Sequence, residues 1–318
     1  MQMKQNNLPT LDAVGKWFSA YKDLNEPFRI GFDFVRDEKR EFINVSHIEN
    51  DGSGAVRKIC SQRALDCRVK EAKANFKRPS FITILLQSLK FLWITRPQPE
   101  VWPLNIEKCS SDRARRESFV FNENETKKIT ARAESNSVSL NSFLFFNLNK
   151  SLHQLFKISD GNWWIPVNMR SELGIDPNDI EKNNNLVSNF TIDVSQKINL
   201  QELHSKIKSC LAEKRHWGTW CWQLSADYLP YSLVKRLALH GIKNNYIGAF
   251  SNLGDWSCAD RNTLLIPYIN TLRSHPLGAG IIIWNGKLCL SLRFYDGLSI
   301  SDEQIRLLMK TWVENLQS

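Results

Sequence analysis

An alternating strand that runs into a histidine and then an Asp-Gly turn constrains this chain more than any other stretch of it. Arg40–Ser46 alternates polar and apolar side chains, the pattern of a half-buried strand. Ser46-His47-Ile48-Glu49-Asn50-Asp51-Gly52 follows at once and reads H-x-x-x-D-G. Asp51-Gly52-Ser53-Gly54 is turn chemistry, and Ala55–Cys60 resumes with helical spacing. A strand, a glycine turn and a helix must therefore sit back to back, with an imidazole at the strand's end. Histidine titrates near neutrality, so one held over such a turn suits a general base. The same residues also fit an ordinary surface loop.

The rest of the chain supplies the frame. Leu11, Val14, Phe18, Tyr21 and Leu24 lie on one face of an expected helix. Phe28–Phe34 alternates as a strand, and Arg36–Lys39 is a polar hairpin turn into the strand before His47. Gln62–Phe76 reads as a charged helix, Thr95–Pro103 as an extended Pro-rich linker and Lys108–Ser118 as a basic loop. Ser139 caps a buried-helix pattern, and Asn162–Arg170 and Leu186–Val194 read as strands. Leu200–Arg215 is an amphipathic helix followed by Trp217, Trp220 and Trp222, which suit core packing better than a substrate platform. Tyr246–Gly254 reads as a strand feeding a small-residue loop, and Asn285-Gly286 between two apolar runs predicts a type I′ hairpin. Ser301–Leu316 closes the chain as a helix. Leu290–Gly297 repeats the strand and Asp-Gly turn of the first motif without its histidine, which suggests two pseudo-equivalent lobes.

Composition excludes some classes of function. With 318 residues, 42% of them hydrophobic, the chain can bury a sizeable core. The net charge of +9 is spread among acidic residues, so a solvated basic face fits better than a nucleic-acid partner. Seven scattered cysteines with no C-x-x-C pair give no metal site, and reduced thiols in a cytoplasm are expected. Met1–Asn7 lacks the apolar core of a signal peptide. The longest apolar run, Phe81–Ile94, is too short and too polar to span a bilayer as a transmembrane segment. It leaves peripheral contact with a membrane or a partner open.

Taken in order, five pieces resemble the CoA-dependent acyltransferase superfamily with the chloramphenicol-acetyltransferase-like fold, which includes wax-ester synthases and condensation domains. They are His47–Gly52, Pro166–Arg170, Asn185–Asn189, Ser251–Gly254 and the closing strand, Asp-Gly turn and helix. The first is the most specific, and together they span about Phe28 to the C-terminus. The resemblance implies an α/β (α+β) fold of two lobes, with mixed sheets flanked by helices. Residues 1–94 would form the lobe carrying the motif, 95–118 a linker and 119–318 the second lobe.

For residues, the resemblance implies that His47 is the catalytic base and that Asp51 turns away from substrate to pair with an arginine of the other lobe. Arg170 stands in the right region to be that arginine, or else caps a surface strand. Gly52 and Gly54 would leave room for the turn and a pantetheine arm. Ser251, Asn252 and Gly254 would border the donor channel, or form a tight turn. The donor would be acyl-CoA or an acyl carrier protein, and the acceptor a hydroxyl or amine on a small molecule or lipid. A thioester is already activated, so neither a metal nor an organic cofactor is called for. One departure stands out: 46 residues precede the histidine, where family members have most of a lobe. The first lobe is therefore expected to be shortened. That opens a second reading, a module that binds a thioester or carrier protein without turning it over.

Overall fold

The computed structural model describes residues 11–318 apart from 25, 27–28, 48, 71–78, 95–99, 108–114, 177–184 and 244. The chain begins with α1 (Leu11–Asp23), β1 (Arg29–Arg36), β2 (Lys39–Ser46) and α2 (Gly52–Gln62), then β3 (Cys67–Lys70) and α3 (Phe81–Ile94). Next come β4 (Arg116–Val120), α4 (Glu123–Ser135), α5 (Leu140–Phe156), β5 (Gly161–Asn168) and β6 (Val187–Val194). Three helices follow, α6 (Leu200–Ala212), α7 (His216–Ser225) and α8 (Tyr231–Ile242). The chain closes with β7 (Gly248–Cys258), β8 (Thr263–Tyr268), β9 (Leu277–Trp284), β10 (Lys287–Phe294) and α9 (Asp302–Gln317).

Local chemistry explains most of these boundaries. The β1–β2 hairpin turns through Asp37 and Glu38, both with positive φ, which gives the twist a two-residue turn needs. Asn285 and Gly286 do the same between β9 and β10. Ser139 accepts from the Ser142 N–H at the start of α5, and Ser301 with Gln304 forms a capping box on α9.

Two sheets result. The small one runs β2-β1-β8, antiparallel throughout. The large one runs β4-β10-β9-β7-β5-β6, with β3 paired to β7 as well. Both sheets draw strands from each side of residues 95–118. A core of α4, α5, α6 and α9 side chains covers one face of the large sheet, and α2 and the small sheet pack over β7, β9 and β10.

The arrangement of β7 decides where a site can open. β9 occupies one edge of β7 in parallel. The other edge is shared: β5 pairs at Gly248 and Ala249, and β3 pairs from Asp255 to Cys258. Among the described residues, the stretch between them pairs with neither strand. The sheet splays at Ser251.

Four expectations change. Cys67–Lys70, read as part of a charged helix, is strand β3; Cys67 and Val69 alternate with Arg68 and Lys70, and backbone pairing to β7 claims the segment. The remainder of that stretch to residue 76 lies mostly outside the described residues. Arg116–Ser118, read as the end of a basic loop, lies in β4 against β10, while 108–114 are not described. Val101 and Trp102 at the end of the expected linker are buried, with the Trp102 indole donating to the Ile247 carbonyl at 3.0 Å. Ser251–Gly254 is a bulged part of β7 rather than a loop, with the register shifting between Asn252 and Asp255 and Gly254 at φ +90°.

Helix α3 packs directly on α7 through Gly218. A Cβ there would stand 2.4 Å from the Gln87 carbonyl oxygen, which is backbone and cannot yield. Gly218→Ala is expected to lose about 1–3 kcal/mol by forcing the two helices apart. Denaturant unfolding that shows no loss would mean the helices reseat freely.

Candidate active site

His47 sits in the turn just past β2, half-buried, with the Phe18 ring of α1 packed at 5.3 Å between centroids. Burial pushes its imidazole below the ordinary histidine value, a shift opposed by backbone carbonyls of His47 and Asn50 and by the Asp51 charge. The ring is therefore neutral at physiological pH and able to accept a proton.

The turn is pinned from both ends. Asp51 caps α2, its Oδ1 accepting from the Gly54 N–H at 2.8 Å. Its Oδ2 accepts from Arg170 Nη1 at 2.7 Å and from the Leu186 N–H at 2.8 Å. The Asp51 side chain is 4% exposed and the Arg170 side chain 0%, so Arg170 is a buried partner and not a surface cap. Asn185 donates to the His47 carbonyl at 2.7 Å, and its amide nitrogen lies 3.1 Å from His47 Nδ1. Gly52 has a steric role: a Cβ would meet Leu253 of β7 at 2.4 Å, which lets the start of α2 lie close to that strand.

Behind Arg170, Glu172 anchors a second buried cluster. It bonds His216 Nε2 and Lys214 Nζ at 3.0 Å each and accepts from the Trp217 indole. Burial alone would raise its carboxyl, but those donors bring it down to about 2. Trp217 and Trp220 pack there with Met169 and Leu186 as core, while Trp222 turns toward the cavity.

That cavity has a volume of about 380 Å³, within the usual range for small-molecule sites. Helices α1, α3, α7 and α8 roof it, contributing Phe18, Phe91, Trp222 and His240. The splayed sheet and the segment after β8 wall it with Trp164, Ser251 and His275. His47 and Gly52 also line it, so three of the residues expected at the site meet here. Asp51 and Arg170 stand behind the turn. Asn252 and Gly254 do not line the cavity: Asn252 is exposed, reaching Asn141 at 3.3 Å and bonding the Gly254 N–H at 2.9 Å. Successive strand residues face opposite sides, so Ser251 and Asn252 cannot share a wall.

His275 is a site residue that sequence reasoning missed. It is 6% exposed, packs on Trp164 at 5.1 Å, and has its Nδ1 3.1 Å from Ser274 Oγ. Burial, with His47 nearby, pushes it down to about 3. Above pH 6.5 the ring is neutral folded or unfolded. Below that the unfolded chain takes the proton first, so stability falls by about 1.4 kcal/mol per pH unit until roughly the folded value. His275→Gln is expected to flatten the acid limb of a stability–pH curve, and an unchanged slope would remove His275 as its source.

No family model matches the sequence, and no curated protein does. Solved structures do match. The TRI3 trichothecene 15-O-acetyltransferase from Fusarium sporotrichioides aligns with a TM-score of 0.57 at 12% identity, over 97% of this chain and 75% of that one. The EpoB NRPS cyclization-docking bidomain from Sorangium cellulosum also scores 0.57, at 11% identity, over 87% of this chain and 59% of that one. The X-domain from teicoplanin biosynthesis scores 0.55 at 8% identity, over 97% of this chain and 94% of that one. The chain thus spans about three-fifths of the EpoB bidomain and nearly all of the X-domain. Mixed sheets flanked by helices, aligned with these structures, give the chain the chloramphenicol-acetyltransferase-like fold.

Proposed function

We propose that the protein transfers an acyl group from a CoA or carrier-protein thioester to a hydroxyl or amine, with His47 as general base. The observation that carries this is the placement of a neutral imidazole in the wall of a cavity, on a turn whose carboxylate is fully engaged elsewhere. Asp51 spends its oxygens on Gly54, Leu186 and Arg170, so it positions the turn and takes no proton from substrate.

A neutral imidazole carries one unprotonated ring nitrogen, and that nitrogen is the base. As the acceptor oxygen or nitrogen attacks the thioester carbon, the His47 imidazole takes its proton and a tetrahedral intermediate forms. Collapse breaks the carbon–sulfur bond, and the imidazolium returns the proton to the departing thiolate. Ester or amide and free thiol result, with every proton accounted for. Phe18, Phe91, Trp164 and Trp222 help make the cavity largely apolar, which suits an apolar acyl chain or acceptor. Similarity to a nonribosomal peptide synthetase bidomain supports a carrier-bound donor beside free CoA.

Incubation with a panel of acyl-CoAs and acyl-pantetheines, with hydroxyl and amine acceptors, tests this by thiol release and product mass. Thiol release that depends on acceptor is expected. Binding of thioesters with no release under any pairing would replace the transferase with a thioester-binding module.

A further inference from the structure

His275 lines the same cavity as His47, and the chemistry above gives it no task. The segment after β8 holds it firmly. Leu272 and His275 exchange two backbone hydrogen bonds across a tight turn, at 3.3 and 3.1 Å. Around that turn the Tyr246 N–H donates to the Ser274 carbonyl and the Tyr295 N–H to the Pro276 carbonyl, both at 2.8 Å. Glu26 accepts from the Arg273 N–H at 3.2 Å, and Trp164 packs on the ring itself. A side chain on such a frame need not reorganise when charge develops beside it.

The ring's tautomer follows from its partner. Ser274 is buried, and among the described residues its hydroxyl meets one polar atom, His275 Nδ1 at 3.1 Å. Two protons compete for that contact, the hydroxyl's and the imidazole's. Were Nδ1 to donate, the hydroxyl proton would be left in the interior without an acceptor, which is costly. With the hydroxyl donating to Nδ1, the ring carries its hydrogen on Nε2, the polar atom left for the cavity that the ring lines. Burial, with His47 nearby, keeps the ring uncharged. His275 therefore offers the cavity an N–H and no lone pair at Nε2, so it serves neither as a base nor as a cation. A neutral imidazole used in this way polarises a carbonyl.

We propose that His275 is a second catalytic residue, its Nε2–H donating to the thioester oxygen as that oxygen gains charge while His47 takes the acceptor's proton. This rests on the acyl-transfer reading. Of the atoms that change, the thioester oxygen gains the most charge, so a fixed donor contributes most there. The hydrogen stays on Nε2 throughout. The carbonyl electron pair moves to oxygen as the acceptor adds, and returns as the carbon–sulfur bond breaks.

His275→Leu is expected to lower kcat for transfer about 10²–10³-fold with KM for the thioester little changed, the usual effect of one lost oxyanion donor. His275→Gln, whose amide donates from a similar place, should recover part of that loss. A wild-type kcat in His275→Leu, or a loss confined to KM, overturns the proposal. A second measurement needs no turnover: the infrared carbonyl band of carbonyl-labelled octanoyl-CoA bound to His47→Ala without acceptor. That band should lie at lower frequency than in the His47→Ala/His275→Leu double variant, and an equal frequency overturns the His275 contact even where acyl transfer stands. A wild-type protein that binds the probe and transfers nothing sinks the acyl-transfer reading instead, and the band then decides the contact alone. Should His275→Leu misfold, ring-nitrogen NMR of the wild-type chain still decides: a His275 hydrogen on Nδ1 rather than Nε2 overturns the proposal.

Discussion

His47→Ala is expected to lower the rate of acyl transfer by about 10²–10⁴-fold, the usual contribution of a positioned general base. The loss should fall on kcat and kcat/KM alike, because the proton moves only as the transition state forms. Folding should survive, since His47 is half-buried at a turn held by Asp51, Arg170 and Asn185, and its own carbonyl keeps its bond to Asn185. His47→Gln keeps the side chain's volume and polarity and should be as slow, which separates proton transfer from packing. The wild-type pH profile supplies a further check. Burial holds the imidazole below its ordinary value, so activity should persist down through pH 6.5 and fall only as the ring protonates beneath it. A folded His47→Ala protein with wild-type rates would remove the histidine from the chemistry.

The second large effect is on stability. Asp51→Asn removes the charge but keeps a side chain that caps helices well, so α2 retains its start. What remains is Arg170, fully buried and facing a neutral amide. Breaking a buried pair from one side typically costs about 3–5 kcal/mol, against about 0–1 for an exposed pair. Arg170→Met should cost a similar amount by stranding Asp51. The double variant should lose much less than the two losses together, since neither charge is then left alone. Thermal unfolding of the three variants gives the coupling energy directly. Additive losses would show that the 2.7 Å contact contributes nothing net, and Asp51→Asn activity would then have to be explained through the cap alone.

How much of this could be read beforehand depended on how local the signal was. The His47 turn, the Asn285-Gly286 hairpin and the Ser139 cap were legible because a few neighbouring residues determine each. The Asp51–Arg170 contact was legible only through the family resemblance, since no local pattern joins residues 119 apart. Thr263–Tyr268 went unread as a strand: it has no period-two alternation, and it becomes β8 because β1 pairs along it. Helix α4 was overlooked although Asn122 and Glu125 form a capping box, because its polar sequence shows little apolar face. The cavity wall lay furthest from reach. His275 arrives on an irregular segment after β8, and nothing near it in sequence distinguishes it from a core histidine.

The pairing of β1 with β8 also sets a timetable for the chain as it is made. Arg36 faces Thr263 and Gly31 faces Tyr268, so the middle strand of the small sheet waits for a partner far along the chain. At about 5–20 residues per second, β1 and β2 spend roughly ten to fifty seconds as a lone hairpin, too small to be stable in water. Phe32 and Phe34, fully buried or nearly so at the end, are available to other chains through that interval. In newly made protein these rings therefore stay exposed until β8 emerges, and a break between the two strands parts β1 from that partner.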